Sequence, residues 1–387
     1  MRPVASWTPI VGKSNSDPVL IPVTFLGSLA WSFVFVALPF QVERLSTSGP
    51  AGTLAWTGWI LGVPSLAAVV TGPIWARYGE RTDPKAACVL VQTLQGLGFL
   101  ATALAHSVIE LFIARLVLGA VGSFSTLAFV IAGREADGTI MRRRLASIQS
   151  ALVLGTLVGP LPGAIAAARL GFRLTYLIGA LVLVISASLL QWGMPSSQTV
   201  PREAAAGRRM PTRDIALAAA LILVASSQET FLVAVLPSVL PGLGVGMDDL
   251  VEAGGLLIFV AGAAAALGGL AAPVLAEQIS ERRLLVGLLV GSSAALVLLG
   301  TARSFWAFAA LRALQCLAVA PFFPLMVAQV ARRADASAIG IINAARVGSG
   351  FLGPLVATTV LATGSPGLLY VTLGAAGIAT AVLLRRG

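Results

Sequence analysis

The 387-residue chain is 57% hydrophobic and only 11% charged, with a mean hydropathy of +0.92. A water-soluble domain of that composition would lack polar surface, so the chain reads as a polytopic membrane protein. Its formal charge of +10 would point to nucleic acid in a soluble protein, but here the charge follows membrane topology instead.

From the start, Met1 to Asp17 is polar and short, with no small-residue cleavage site after an apolar core, so no removable signal peptide is expected. Apolar stretches then run over 19–44, 53–75, 85–106, 108–133, 144–168 and 172–194. Six more follow over 213–240, 250–275, 284–302, 304–331, 338–363 and 366–384. Each approaches the ~20 residues a bilayer-spanning helix needs, and none has the short alternation of an outer-membrane barrel strand. The predicted fold is all-α, with twelve transmembrane helices in two pseudo-symmetric six-helix bundles.

Between the bundles, Pro195 to Pro211 is rich in Ser, Pro, Ala and Arg without apolar periodicity and reads as a linker. The predicted domains are 1–194, a linker 195–212, and 213–387. With both termini inside, nineteen Lys and Arg fall on the cytoplasmic side and four, Arg44, Arg169, Arg173 and Arg303, on the other. The positive-inside rule then orients the chain in a cell (inner) membrane with both termini cytoplasmic.

The halves echo one another. Gly159-Pro160 recurs as Gly353-Pro354 194 residues later, and Arg115 pairs with Arg312, Tyr176 with Tyr370, and Ala37-Leu38-Pro39 with Val235-Leu236-Pro237 at nearly the same offset. Two apolar repeats of this kind place a transport path between them.

Charged and polar residues inside spans are the site candidates. Glu229, preceded by Gln228, is the one acid placed deep in a span. A buried carboxylate is costly to keep charged, so Glu229 is a candidate for taking up and releasing a proton. Arg346, next to Asn343 in the eleventh span, could form a permanent ion pair with it or release it when substrate binds. Arg312 and Gln149 are further cavity candidates, although a lone span glutamine commonly bonds helix to helix. Arg115 either faces a wet cavity or snorkels toward the outer surface. Ser107 and Glu110 have capping-box spacing, which makes Glu110 a helix cap. Asp248, Asp249 and Glu252 read as a solvated outer loop. Cys88 and Cys316 behave as small apolar residues, and no metal or disulfide framework is implied.

In the fifth predicted span, Gly155-Thr-Leu-Val-Gly159-Pro160-Leu-Pro-Gly163 places three glycines on one helical face, and Pro160 should bend the helix. Gly72-Pro-Ile-Trp-Ala76-Arg77-Tyr-Gly79-Glu80-Arg81 joins the second and third spans, where Gly72 and Gly79 would allow a tight turn. Together with Arg115 followed by Gly119, these segments resemble the major facilitator superfamily, and within it the twelve-span drug:proton antiporters. The resemblance covers essentially the whole chain. It implies that the fifth-span motif marks an exporter and that Arg115 belongs to the proton-coupling machinery. The chain departs from the cytoplasmic signature at Ala76, where the family has an acid that latches the two halves, and at Glu80.

With no phosphate-binding loop and no nucleophile–base constellation, ATP hydrolysis and enzyme chemistry are not expected. The expected function is proton-coupled efflux of a small organic molecule by alternating access, either a drug or an anionic or zwitterionic metabolite such as a siderophore. An importer or lipid flippase on the same fold is the alternative, and a non-transporting membrane sensor or enzyme is the other class. The expected partners are that substrate, protons and membrane lipids, with no cofactor and no nucleic acid, and the chain is expected to be a monomer.

Overall fold

The computed structural model describes residues 17–122, 124–133, 138–194, 211–331 and 336–386. The N-terminal segment and most of the expected linker lie outside them. Among the described residues there is helix throughout and no strand. This is the expected answer for a chain whose backbone polar groups must be satisfied without water.

The first half contains α1 (Asp17–Phe35), α2 (Ala37–Leu45), α3 (Pro50–Arg81), α4 (Pro84–Leu104), α5 (Val108–Ala120), α6 (Phe124–Gly133), α7 (Gly138–Val158), α8 (Pro160–Leu170) and α9 (Phe172–Gly193). The second contains α10 (Thr212–Thr230), α11 (Leu236–Val239), α12 (Leu250–Gln278), α13 (Glu281–Leu298), α14 (Phe305–Val319), α15 (Phe322–Ala331), α16 (Ala336–Thr363) and α17 (Pro366–Arg386). Eleven segments are long and apolar enough to cross a bilayer, and α1 with α2, bent by 41°, supplies a twelfth. Several spans are therefore broken rods. The α7–α8 break falls at Gly159, immediately before Pro160, as the sequence predicts.

The glycine face of α7 and α8 packs within its own half. A Cβ on Gly155 would meet Phe25 O, Ser28 Cβ and Leu29 N of α1 at 2.7–2.8 Å, and Gly159 and Gly163 lie against Ser32 and Phe33. The close approach is reinforced by hydroxyls. Ser28 Oγ donates to Leu152 O at 2.7 Å and Ser32 Oγ to Gly155 O at 2.8 Å. In the second half Gly353 takes the same position against Ser227, Thr230 and Phe231, and Thr230 Oγ1 donates to Ser349 O at 2.9 Å. Unlike the α7–α8 pair, α16 continues as one helix through Pro354.

Where the halves meet, α3 lies on α16 and α8 on α12. Gly58 faces Leu355 and Thr358, Gly62 faces Phe351, and Gly255 lies 3.0 Å, measured from an added Cβ, from Pro160 O. These contacts belong to the end of the molecule opposite the termini. There one buried cluster draws on both halves, including Val36, Phe40 and Leu61 with Leu232, Leu236 and Ala357. Toward the terminal end the core separates. One cluster there holds only first-half residues such as Val91 and Leu127, and another only second-half residues such as Leu289 and Phe322. The bundle is closed at one end and parted at the other.

Two loop expectations change. Gly72 and Gly79 do not form a turn, because α3 continues as helix to Arg81 and the chain reverses at Thr82 and Asp83. Nothing lies within 4 Å of a Cβ on Gly72, whereas Gly79 packs on Leu127. Arg77 and Arg81 are exposed at this end of α3. Glu252 is not simply solvated: Arg169 Nε reaches its Oε1 at 3.3 Å, an ion pair that links the end of α8 to the start of α12 across the two halves. Glu110 does cap its helix, with Ser107 Oγ accepting from Glu110 N at 3.2 Å, while the Glu110 carboxylate accepts from His106 N at 2.8 Å.

A Gly155→Leu variant should overpack the α1–α7 contact and lose about 1–3 kcal/mol of stability. Gly72→Ala should be silent by the same measurement, thermal unfolding of the detergent-solubilised protein.

Candidate functional site

Span seven breaks beside its acid. The α-helical part of that span ends at Thr230, a short 3-10 segment Leu232–Val235 follows, and Gln228 and Glu229 sit in the last turn before the break. A helix end inside a membrane leaves carbonyls without partners. Arg312 of α14 supplies them: Nη1 donates to Gln228 O at 2.8 Å and Nη2 to Glu229 O at 2.6 Å. Its guanidinium lies over the Phe231 ring, 5.0 Å from the centroid, and Nη1 also bonds Gln315 Oε1. A cation at a helix C-terminus is favoured by the helix dipole as well.

Gln228 belongs to the same buried network. Its Oε1 accepts from Ser292 Oγ at 2.7 Å, and its Nε2 donates to Ser293 Oγ at 3.2 Å and to Leu373 O at 3.1 Å. Gln315 Nε2 closes the ring by donating to Ser292 Oγ at 2.9 Å. Spans seven, nine, ten and twelve are thereby joined through groups that are all fully or nearly fully buried. The pattern is interhelical hydrogen bonding, worth most where an unpaired group has no water to turn to.

Glu229 and Arg346 behave differently. The Glu229 side chain is half-buried and Arg346 is exposed, although Arg346 lies some ten residues inside α16. A guanidinium at that depth is too costly to face lipid, so the exposed surface faces the space between the parted halves. No Glu229–Arg346 contact falls within salt-bridge distance among the described residues. Arg346 instead lies over the Phe323 ring of α15 at 4.8 Å from the centroid, and the Glu229 carboxylate makes no hydrogen bond among the described residues. Asn343, three residues before Arg346, is exposed as well. Glu229, Asn343 and Arg346 thus form a polar set with free functional groups.

In the first half, Arg115 is 2% exposed and lies over Trp31 at 5.4 Å. Trp31 Nε1 donates to Gln95 Oε1 at 3.2 Å, and Gln95 Nε2 donates to Gly122 O at 2.7 Å, at the break between α5 and α6. Arg115 does not snorkel. Its Nε and Nη1 are buried and without hydrogen-bond partners, as is the Tyr176 hydroxyl. The arginine–aromatic arrangement repeats between the halves, but among the described residues the arginine itself caps carbonyls only in the second; in the first, Gln95 serves the break.

A cavity of about 530 Å³ opens near the terminal end between α1 and α7, lined by Ile21, Pro22, Phe25, Arg143, Ser147 and Ser150 among others. Gln149, although exposed, is not part of that lining. Arg143, Gln315, Ser292, Trp31 and Phe323 were not singled out by the sequence. The Arg312–Gln315 spacing of about one helical turn is the single signal that could have flagged Gln315, whereas the remainder depended on which spans became neighbours. Among the described residues no cluster of His, Cys, Asp or Glu could hold a metal.

These roles separate experimentally. Arg312→Met should strand two buried carbonyls at about 1–3 kcal/mol each, lowering the thermal unfolding midpoint. Arg346→Met, on an exposed and uncapped side chain, should leave that midpoint within about 1 kcal/mol of wild type.

Comparison with known proteins extends this picture. The sequence profile described as Major Facilitator Superfamily matches residues 20–261. The MFS-type transporter YuxJ of Bacillus subtilis (strain 168) is 25% identical over 340 residues, 85% of this chain and 86% of that protein. The multidrug resistance protein MdtG of Escherichia coli is 27% identical over 187 residues, 48% of this chain and 45% of that protein. In three dimensions a point mutant of the nucleoside transporter NupG superposes with a TM-score of 0.77 at 12% identity, covering 96% of this chain and 99% of that one. A D-xylose–proton symporter gives 0.73 at 16% identity, covering 95% and 96%. At those identities the structures speak to the fold alone. The profile match, over more than half of the chain, establishes that this multi-pass membrane protein is a transporter, not an enzyme, and that the chain belongs to the Major Facilitator Superfamily.

Proposed function

We propose that the chain is a proton-coupled exporter of a small amphipathic organic molecule, working by alternating access in the cell membrane with both termini in the cytoplasm. The observation that carries this reading is the polar set in the second half. Glu229 and Arg346 sit deep in their spans, close enough to act on each other but without an ion pair at contact distance, and the Arg312 N–H groups go to backbone carbonyls rather than to the carboxylate. Glu229 is then available to exchange a proton, and Arg346 to receive either that carboxylate or an acidic group of the substrate.

The orientation follows from the lysines and arginines, which crowd the terminal end. On that orientation the parted end faces the cytoplasm, where an exporter loads its substrate. The fifth-span glycine–proline motif and the likeness to MdtG support the export direction, and multidrug substrates are one class this reading covers. Arg143 and Arg346 on the open side favour a substrate with an anionic or acceptor group, which keeps a metabolite such as a siderophore beside a drug. The two rigid bodies in the cycle are residues 1–194 and 213–387, moving as a monomer and joined by the 195–212 linker.

In proteoliposomes carrying an imposed pH gradient, Glu229→Gln should abolish gradient-driven movement of an organic dye such as ethidium or carboxyfluorescein while the protein still inserts and remains monodisperse. Wild-type transport by that variant would refute the coupling role. Alternating access has its own test at the closed end. Joining an Arg169→Cys, Glu252→Cys pair with a cleavable bifunctional thiol reagent should stop transport, and cleaving the reagent should restore it, because those two solvent-accessible residues meet across the halves.

A further inference from the structure

A second pocket lies at the closed end, away from the transport path and wholly within the first half. It encloses about 260 Å³ and is lined by residues that include Gln41 and Arg44 of α2, His106, Gly171, and Arg173 of α9. Three independent features converge on it. Arg44 and Arg173 are exposed and make no ion pair among the described residues, so two cations face one small space. The 22-residue helix α9 begins there at Gly171, which has no side chain to cap it. The first helical N–H groups of a helix are unpaired donors and carry the positive end of the dipole. Finally, Gln41 is only 6% exposed, yet its Oε1 is buried with no hydrogen-bond partner. A buried amide oxygen costs free energy unless something donates to it, and the pocket is where a donor could come from.

The geometry points to a binding site for a phosphate group that carries a neighbouring N–H donor. The phosphate oxygens take Arg44, Arg173 and the start of α9, and the donor satisfies Gln41. Arginine forks and a helix N-terminus both suit phosphate. A carboxylate adjoins the lining, since Glu110 accepts from His106 N at 2.8 Å. The surroundings therefore suit a zwitterion better than a bare anion. The residues stand at the ends of spans, at headgroup depth, where an ethanolamine phospholipid presents this pair of groups. A soluble phosphate would use the same arginines.

The test titrates the purified full chain in detergent with dioleoylphosphatidylethanolamine, with dioleoylglycerol, which lacks phosphate, and with inorganic phosphate, reading the thermal unfolding midpoint. The phospholipid should raise the midpoint and dioleoylglycerol should not. The exposed-site variant Arg44→Ala, Arg173→Ala should need about tenfold more phospholipid for the same shift. Arg303→Ala, in the second half, should behave as wild type. In a further titration with dioleoylphosphatidic acid the wild type should need less of the ethanolamine lipid than of phosphatidic acid, and Gln41→Leu should abolish that preference; a wild type without it overturns the role of Gln41. If inorganic phosphate reproduces the shift with the same arginine dependence, the site stands and its ligand is the free anion. A double-arginine variant that responds like wild type, equal stabilisation by dioleoylglycerol, or no shift with any ligand overturns the site, and a lipid preference that survives Gln41→Leu overturns the role of Gln41.

Discussion

Arg312 makes the broken seventh span possible. Helix α10 ends in the middle of a membrane, where carbonyls released from the helix cannot turn to water, and two of them, on Gln228 and Glu229, receive N–H groups from this one guanidinium. The charge is in turn spread over the Phe231 ring and the Gln315 amide. Because Gln315 and Gln228 share the Ser292 hydroxyl, the break is held by four spans rather than two. The rest of the second half is arranged around that fixed point, which leaves the Glu229 side chain projecting from a rigid backbone.

The two halves answer the same problem differently. Both place an arginine of the fourth or tenth span over an aromatic ring of the first or seventh, and both set a tyrosine hydroxyl, Tyr176 or Tyr370, in the interior without a partner. In the first half, however, the break in α5–α6 is served by Gln95, and Arg115 keeps buried N–H groups unused. Buried N–H groups left unpaired cost free energy, which the Trp31 ring face offsets in part. Arg312 too keeps a buried Nε without a hydrogen-bond partner, but its other nitrogens hold the broken seventh span, whereas Arg115 meets its surroundings chiefly through the Trp31 ring.

The parted and closed ends follow from side-chain size. On α3, α12 and α16, small residues let backbones of opposite halves come together at the closed end, with Gly58, Gly62 and Gly255 each facing the partner half. Toward the terminal end each half keeps its own apolar cluster. The glycine–proline motif of the fifth span is two-sided. Its glycine face packs α7 and α8 onto α1, while Pro160 and Leu161 of the motif, with Ala164 beside it, meet Gly255 of α12. Whatever moves α1 relative to α7 is thus coupled directly to the seam.

Composition and spacing by themselves determined the membrane class, the number of spans and the internal repeat, because each depends only on local apolar length and on residues held at fixed helical spacing, while the superfamily came from the resemblance of particular motifs to known sequences. The break at Gly159 and the Ser107–Glu110 cap were legible for the same reason. What the sequence could not supply was which buried polar groups are used up and which are free. Gln228, Arg312, Glu229 and Arg346 look alike in one dimension, yet the first two are bonded into the framework and the last two are not. That distinction, like the Arg169–Glu252 link and the Gln41 pocket, depends on neighbours from distant spans. Only the packing of the helices decides it, since a polar group in a membrane is defined by whether a partner lies within hydrogen-bonding reach.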